Sequence, residues 1–95
     1  MNEEAREALV AAEMRGQRQI KDRFNSGDGL CALGVLGWRE GQAFLDDFLK
    51  PHWGFSSNRL QCPFCERVVL EETRLVAHFN DDHDFSFLDI ARKMP

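Results

Sequence analysis

Hydrophobic residues in the first half of the chain recur at helical spacing and predict three helices. The first spans about residues 2–24, with acidic residues in its first turn and a break in its apolar stripe at Gly16. A run that is apolar throughout predicts a short buried helix over 30–37, although its length also fits a buried strand. The third covers 39–50 and ends before Pro51. The apolar residues of the first and third helices are Ala5, Leu9, Ala12, Ile20 and Phe24, then Ala43, Phe44, Leu45, Phe48 and Leu49.

Glycine and small polar residues mark the junctions between these segments. The sequence Asn-Ser-Gly-Asp-Gly at 25–29 predicts a turn that ends the first helix. Gly34 and Gly37 in the apolar run favour close packing of one helix on another. The apolar residues up to position 49 predict a core for the helical part that needs no metal.

The second half of the chain predicts a hairpin over 59–69 and a helix over about 71–80. Ser86 and Asp89 then form an S-x-x-D capping signature before apolar residues at helical spacing, which predicts a last helix over 86–93. We expect this helix to fold back on the preceding unit or on the N-terminal helices.

These elements together predict an α-rich, small α+β protein. A helical N-terminal region at 1–58 is expected to pack on a ββα unit, which with its C-terminal helical extension occupies 59–95.

Two cysteines and two histidines lie at the spacing of a metal site in this second half. The pattern C-x2-C-x12-H-x4-H contains Cys62, Cys65, His78 and His83. Thiolate and imidazole groups are the ligands of tetrahedral Zn²⁺, and four protein ligands leave no open coordination position. The sequence therefore predicts one structural zinc per chain. Because four residues separate the histidines, the helix is expected to loosen toward π-like geometry at its end.

The same stretch resembles the C2H2 zinc-finger family over residues 60–83. Besides the four ligands, the apolar positions of that family are occupied here by Leu60, Val69 and Leu75. Residues 83–87, His-Asp-Phe-Ser-Phe, are similar to divergent fingers of ribosome-biogenesis factors and protein arginine methyltransferases. That resemblance implies binding to proteins rather than to DNA. Residues 30–36 also resemble a short motif of small uncharacterised bacterial and bacteriophage proteins.

Composition narrows the class of protein. Ninety-five residues with a formal net charge of −4 fit one small domain, or a helical piece plus a finger, stabilised by a metal. Acidic residues outnumber basic ones, which argues against a binder driven by phosphate contacts. Three cysteines with this spacing suit a reducing compartment, so we expect an intracellular protein, cytoplasmic or, in a eukaryote, nuclear. Neither an apolar run long enough to span a membrane nor a signal-peptide pattern occurs.

Cys31 and His52 are the cysteine and histidine outside the metal pattern. The neighbours of Cys31 are apolar, which predicts a buried core cysteine rather than a reactive thiol. The two residues resemble a Cys–His nucleophile pair in type, but the sequence indicates no third orienting group. With no open metal position either, we expect that the protein is not an enzyme.

Several residues are candidates for contact with a protein partner. Trp53 and Phe55, in the connector before the hairpin, either pack the finger on the helical part or form an exposed aromatic anchor. Arg74 and Phe85 complete this predicted partner surface. The first helix offers a second surface, and its apolar stripe also fits a homodimer seam.

Nucleic-acid binding is the alternative. The positions at which a DNA-binding finger contacts bases hold Glu71, Arg74 and Ala77. Glu72 adds a second negative charge beside them, and the helix end is acidic too, with Asp81, Asp82 and Asp84. Phosphate contacts would come from a basic cluster in the first predicted helix, which we interpret first as a solvated face. Its members are Arg15, Arg18, Lys21 and Arg23.

We therefore rank a zinc-binding protein-interaction module first and a nucleic-acid-binding regulator second. A small bacteriophage-type inhibitor of a host complex is a special case of the first.

Overall fold

The computed structural model describes residues 1–39 and 53–95. Helix α1 spans Glu3–Met14, and its first turn is capped by Asn2, whose side chain accepts a hydrogen bond of 2.8 Å from the Ala5 N–H. Ala5, Leu9 and Ala12 form its buried face. The helix predicted for 39–50 lies outside the described residues beyond Arg39.

The prediction that the first helix continues to residue 24 is wrong. Gly16 adopts a left-handed conformation with φ of 73°. The Gln17 N–H donates to the Ala12 carbonyl at 3.0 Å and the Gly16 N–H to the Glu13 carbonyl at 3.1 Å. These two bonds form a Schellman motif, which satisfies the last carbonyls and turns the chain out of the helix.

Residues after this turn pair with a small hairpin instead of continuing the helix. Strands β1 (Asn25–Ser26) and β2 (Gly29–Leu30) are antiparallel, and the tight turn between them confirms the turn predicted at 25–29. Leu30 also exchanges backbone hydrogen bonds with the preceding segment, donating to Arg18 at 3.0 Å and accepting from Ile20 at 3.1 Å. The predicted basic cluster therefore lies on extended and irregular chain.

Helix α2 is shorter than the predicted helix over 30–37 and spans Ala32–Val35. Its start is displaced because Leu30 belongs to β2. Gly34 lies close to a neighbouring backbone, as expected for a glycine in this run. The neighbour is the Phe24 backbone rather than another helix, and a Cβ on Gly34 would lie 1.9 Å from the Phe24 oxygen. A side chain does not fit there without a backbone shift.

The C-terminal half follows the predicted order. Strands β3 (Leu60–Gln61) and β4 (Val68–Val69) are antiparallel, with Leu60 opposite Val69. Helix α3 spans Glu72–Asp81 and helix α4 spans Phe87–Lys93, the latter capped by Ser86 as predicted. Within the described residues, four helices and two small antiparallel sheets form a small α+β fold, which confirms the predicted class.

One hydrophobic core joins the two halves of the chain. Helix α1 packs on α4, and α2 packs on α3. The core draws buried residues from every described helix and includes Leu9, Leu36, Leu75, Phe79, Phe87 and Ile90. Among the helices described, none has the length and apolar character needed to cross a membrane.

The connector before the hairpin packs against the N-terminal region. Trp53 is half-buried, and its indole N–H donates to the Leu36 carbonyl at 2.6 Å. Phe55 lies against Trp38 with the ring centroids 6.1 Å apart. Of the two roles considered for Trp53 and Phe55, these contacts favour packing. Whether either residue also touches a partner stays a prediction.

Candidate metal centre

The β3–β4 turn presents two thiols from one tight loop. The Cys62 N–H donates to the Arg67 carbonyl at 2.8 Å, and the Glu66 N–H donates back to the Cys62 carbonyl at 2.9 Å. Glu66 closes the loop in a left-handed conformation, with φ of 63°. Cys62 is buried and Cys65 is exposed, so the loop holds one thiol against the core and the other at the surface.

The two imidazoles come from the end of α3. His78 lies within the helix, whereas His83 follows its last residue. The His83 N–H donates to the His78 carbonyl at 3.3 Å, a bond between residues five apart. This π-type turn confirms the expected loosening, and it carries the second imidazole back toward the first.

The four groups converge on one point. The Cys62 Sγ lies 3.4 Å from the His83 Nε2, and the Cys65 Sγ lies 3.1 Å from the His78 Nε2. One ligand atom from each residue lies within 4.8 Å of every other. The structure thus brings together the four ligands named from the sequence in a cluster suited to one metal ion.

Asp82 orients one of these ligands. Its Oδ2 lies 2.7 Å from the His78 Nδ1 and accepts a hydrogen bond of 3.1 Å from Arg67. With Nδ1 facing the carboxylate, Nε2 is the nitrogen that faces the cluster. The hydrogen bond with His78 also holds the pKa of Asp82 below its ordinary value. The sequence analysis missed this role, although an acidic residue four positions after a helical ligand is its signal.

We expect Asp82→Asn to weaken metal affinity about 10- to 100-fold, the usual effect of losing an orienting carboxylate. Competition with a chromogenic chelator measures this directly. Asp28→Asn is the matched control, because Asp28 is exposed and pairs with Arg18 instead of a metal ligand. Equal affinities of the two variants would show that the Asp82 contact does not tune the centre.

Three aromatic rings pack around the His83 imidazole. Phe85 stacks on His83 with centroids 5.1 Å apart and planes inclined by 14°. Phe79 and Phe64 meet the His83 ring edge-on at 5.9 and 6.0 Å. Lys93 from α4 lies 5.4 Å from the centroid of Phe64 and 5.1 Å from that of Phe85. These contacts restrict the orientation of His83 and link the centre to the last helix.

Asn80 links α3 to the N-terminal region next to the centre. Its Oδ1 accepts hydrogen bonds from the Ala32 N–H at 3.0 Å and from Gln19 at 2.8 Å. Its Nδ2 donates to the Ile20 carbonyl and to Asp81, each at 2.8 Å. The side chain is buried, so one residue caps the start of α2 and pairs with the segment before β1. No periodicity in the sequence indicated this role.

The remaining predicted site residues lie apart from the metal cluster. Arg74 is exposed on α3 and pairs with Glu71 at 3.7 Å. Arg18 pairs with Asp28 at 2.8 Å, and Lys21 pairs with Asp84. Arg15 and Arg23 are exposed. As partner or nucleic-acid contacts, these residues stay predictions.

Cys31 is buried, as predicted. Its Sγ accepts a hydrogen bond of 3.3 Å from the Gly34 N–H at the start of α2. Its proposed alternative partner, His52, lies outside the described residues.

Comparison of the chain with protein-family models, with curated proteins and with solved structures finds no significant match.

Proposed function

We propose that the chain is a zinc-stabilised module that binds another protein. Zinc forms bonds of about 2.3 Å to sulfur and about 2.0–2.1 Å to nitrogen, so the edges of its tetrahedron are about 3.3–3.8 Å. The S···N distance of 3.4 Å in the cluster lies within this range and that of 3.1 Å just below it, and all four ligand atoms lie within 4.8 Å of one another. The ligand set and this spacing support a zinc ion.

A structural role for this zinc follows from its ligand set. Two thiolates and two imidazoles fill a tetrahedron and leave no site for water or substrate. The ion would hold the β3–β4 turn to the end of α3, and through these elements it would support the shared core. We therefore propose a binding role and no catalysis.

The pairing of basic residues with carboxylates favours a protein over a nucleic acid as the partner. Arg18, Lys21, Arg67 and Arg74 each lie next to an acidic side chain, respectively Asp28, Asp84, Asp82 and Glu71. Exposed pairs of this kind contribute little to stability, but they neutralise the local positive potential that attracts phosphates. This pairing of basic with acidic side chains is the observation on which we prefer protein binding to nucleic-acid binding.

Duplex DNA should accordingly bind weakly, with a dissociation constant on the order of 10⁻⁴ M or poorer at physiological salt. Fluorescence anisotropy with a labelled random duplex measures it. A variant with Asp28→Asn and Asp84→Asn should bind more tightly, because Arg18 and Lys21 are no longer neutralised. Nanomolar binding to a defined site that Arg74→Ala and Arg18→Ala abolish would establish nucleic-acid binding instead.

The protein arm of the test uses the zinc-loaded chain as bait in nuclease-treated lysate, with chelated bait as control. A captured protein supports the proposal when the purified pair re-forms with defined stoichiometry and dissociates on chelation. That the chain is a bacteriophage-type inhibitor remains a hypothesis, in which the captured partner would belong to a host complex.

A further inference from the structure

The outer edge of β4 has a backbone that no other described residue pairs with. In the β3–β4 ladder, Cys62 donates to Arg67 at 2.8 Å, and the register places Leu60 opposite Val69 and Gln61 opposite Val68. Hydrogen-bonded and non-bonded pairs alternate along antiparallel strands, so the Val68 N–H and carbonyl point away from β3. No hydrogen bond to these groups occurs within residues 1–39 and 53–95.

The side chains along this edge are apolar and exposed. Val68 is 59% exposed and Leu70 is 57% exposed, while Val69 between them faces the core. An open edge with apolar side chains is a template for another strand, and folded proteins usually limit it with a short strand, charged side chains, a proline or a covering element. Residues 67–70 contain no lysine or proline, their one charged residue, Arg67, pairs with Asp82, and β4 itself is two residues long.

A cleft of about 380 Å³ runs between this edge and the exposed side of α3. Its volume is at the lower end of the range of about 300–1,000 Å³ for binding pockets, which suits a few side chains of a peptide. Strand and helix run in opposite directions along it, because Arg67, the residue before β4, pairs with Asp82 beyond the end of α3.

The helical wall of the cleft changes charge along its length. The opposite directions of strand and helix place Arg74, which pairs with Glu71, near the Leu70 end. They place Asp81 and Asp82 near the Arg67 end, where Asp82 pairs with Arg67 and Asp22 also lines the cleft. Arg74 and Asp81 are separated by about 10 Å along the helix axis, calculated from a rise of about 1.5 Å per residue. A strand in the cleft would therefore meet Arg74 with its partner Glu71 at one end, and three carboxylates beside one arginine at the other.

We propose that the partner of this module presents an extended segment that adds to the sheet as a third strand along β4. The segment carries apolar residues against Val68 and Leu70. On its other face it carries an acidic side chain near Arg74 and a basic side chain near Asp81. Main-chain hydrogen bonds supply affinity in such strand addition, and the alternating side chains supply specificity. This inference rests on the proposed function and specifies its surface.

The test is a selection on the zinc-loaded full chain with a displayed library of random linear peptides about ten residues long, enough for one strand with its flanks. We expect enriched peptides to share a pattern of alternating apolar residues with one acidic and one basic residue on the opposite face. Failure to enrich any peptide, or enrichment without this pattern, would overturn the inference.

Val68→Pro tests the backbone contact, because it removes an outward N–H and leaves the β3 ladder intact. The affinity of selected peptides should fall about tenfold or more. Gln61→Pro is the matched control, since it removes the corresponding N–H from the opposite edge of the hairpin. Zinc content and melting temperature are measured for each variant to confirm folding.

Two readouts do not depend on the proline variant. Peptide binding to the unmodified chain should protect the Val68 amide from hydrogen exchange. Arg74→Glu should weaken the selected peptides, and a peptide whose acidic residue is replaced by lysine should recover the loss. Unchanged exchange at Val68 together with no charge rescue would rule out the cleft.

These outcomes separate the inference from the proposed function. A captured protein whose affinity is unaffected by Val68→Pro and Arg74→Glu leaves the protein-binding function standing and overturns the strand-addition surface. Site-specific nucleic-acid binding would overturn the proposed function. The peptide selection tests independently whether a strand binds along the edge of β4.

Discussion

Chelation of the metal is expected to unfold the N-terminal helices together with the ββα unit. Structural zinc contributes about 10–16 kcal/mol of binding free energy in finger peptides, which equals or exceeds the stability of about 5–15 kcal/mol typical of a domain. Because α1 packs on α4 and α2 packs on α3, loss of the C-terminal elements exposes the faces of both N-terminal helices. Within the described residues the core is shared by both halves of the chain. The sequence-based expectation of a separate helical core stays a prediction, because its apolar residues at 43–49 lie outside the described residues.

Far-UV circular dichroism before and after chelation measures this, and re-addition of Zn²⁺ should restore the spectrum. A Cys62→Ser and His78→Ala double variant should contain close to no metal and be similarly unfolded. Cys31→Ser is the control, because Cys31 lies outside the cluster, and this variant should keep its metal. Retention of the α1 and α2 signal after chelation would show that the N-terminal region folds independently.

Asn80→Leu is expected to lower the free energy of unfolding by about 3–5 kcal/mol at fixed free Zn²⁺. The substitution leaves the Ala32 N–H and the Ile20 carbonyl without their side-chain partner, and each buried unsatisfied group costs about 1–3 kcal/mol. Leucine is similar in size, so the effect isolates lost hydrogen bonds from lost volume. Denaturant unfolding followed by fluorescence provides the measurement.

Two further variants sharpen this result. Asn80→Asp keeps an acceptor for Ala32 but removes the donor to Ile20 and places a carboxylate beside Asp81, so it should also destabilise the fold. Asn58→Leu changes an exposed asparagine and should alter stability by no more than about 0.5 kcal/mol. Equal stability of Asn80→Leu and Asn58→Leu would contradict a stabilising role for the Asn80 hydrogen bonds.

The sequence by itself determined the features that depend on local spacing. The sequence identified the four candidate metal ligands because their spacing places two at a tight turn and two at a helix end, as a tetrahedral centre requires. They are Cys62, Cys65, His78 and His83. The irregular turn before His83 and the helix after Ser86 followed from spacing and capping in the same way. In each case the residues that decide the structure are close together in the chain.

Only the tertiary structure decided how these pieces combine. Gly16 interrupts the first apolar stripe in the sequence, but the pairing of Leu30 with Arg18 and Ile20 shows why the chain does not resume the helix beyond it. The hydrogen bonds from Asn80 to Ala32 and Ile20 join residues that are far apart in the chain. The spacing of residues in the sequence does not indicate such partners. The outer edge of β4 likewise depends on which described residues lie against it, and the spacing within the hairpin does not encode these contacts.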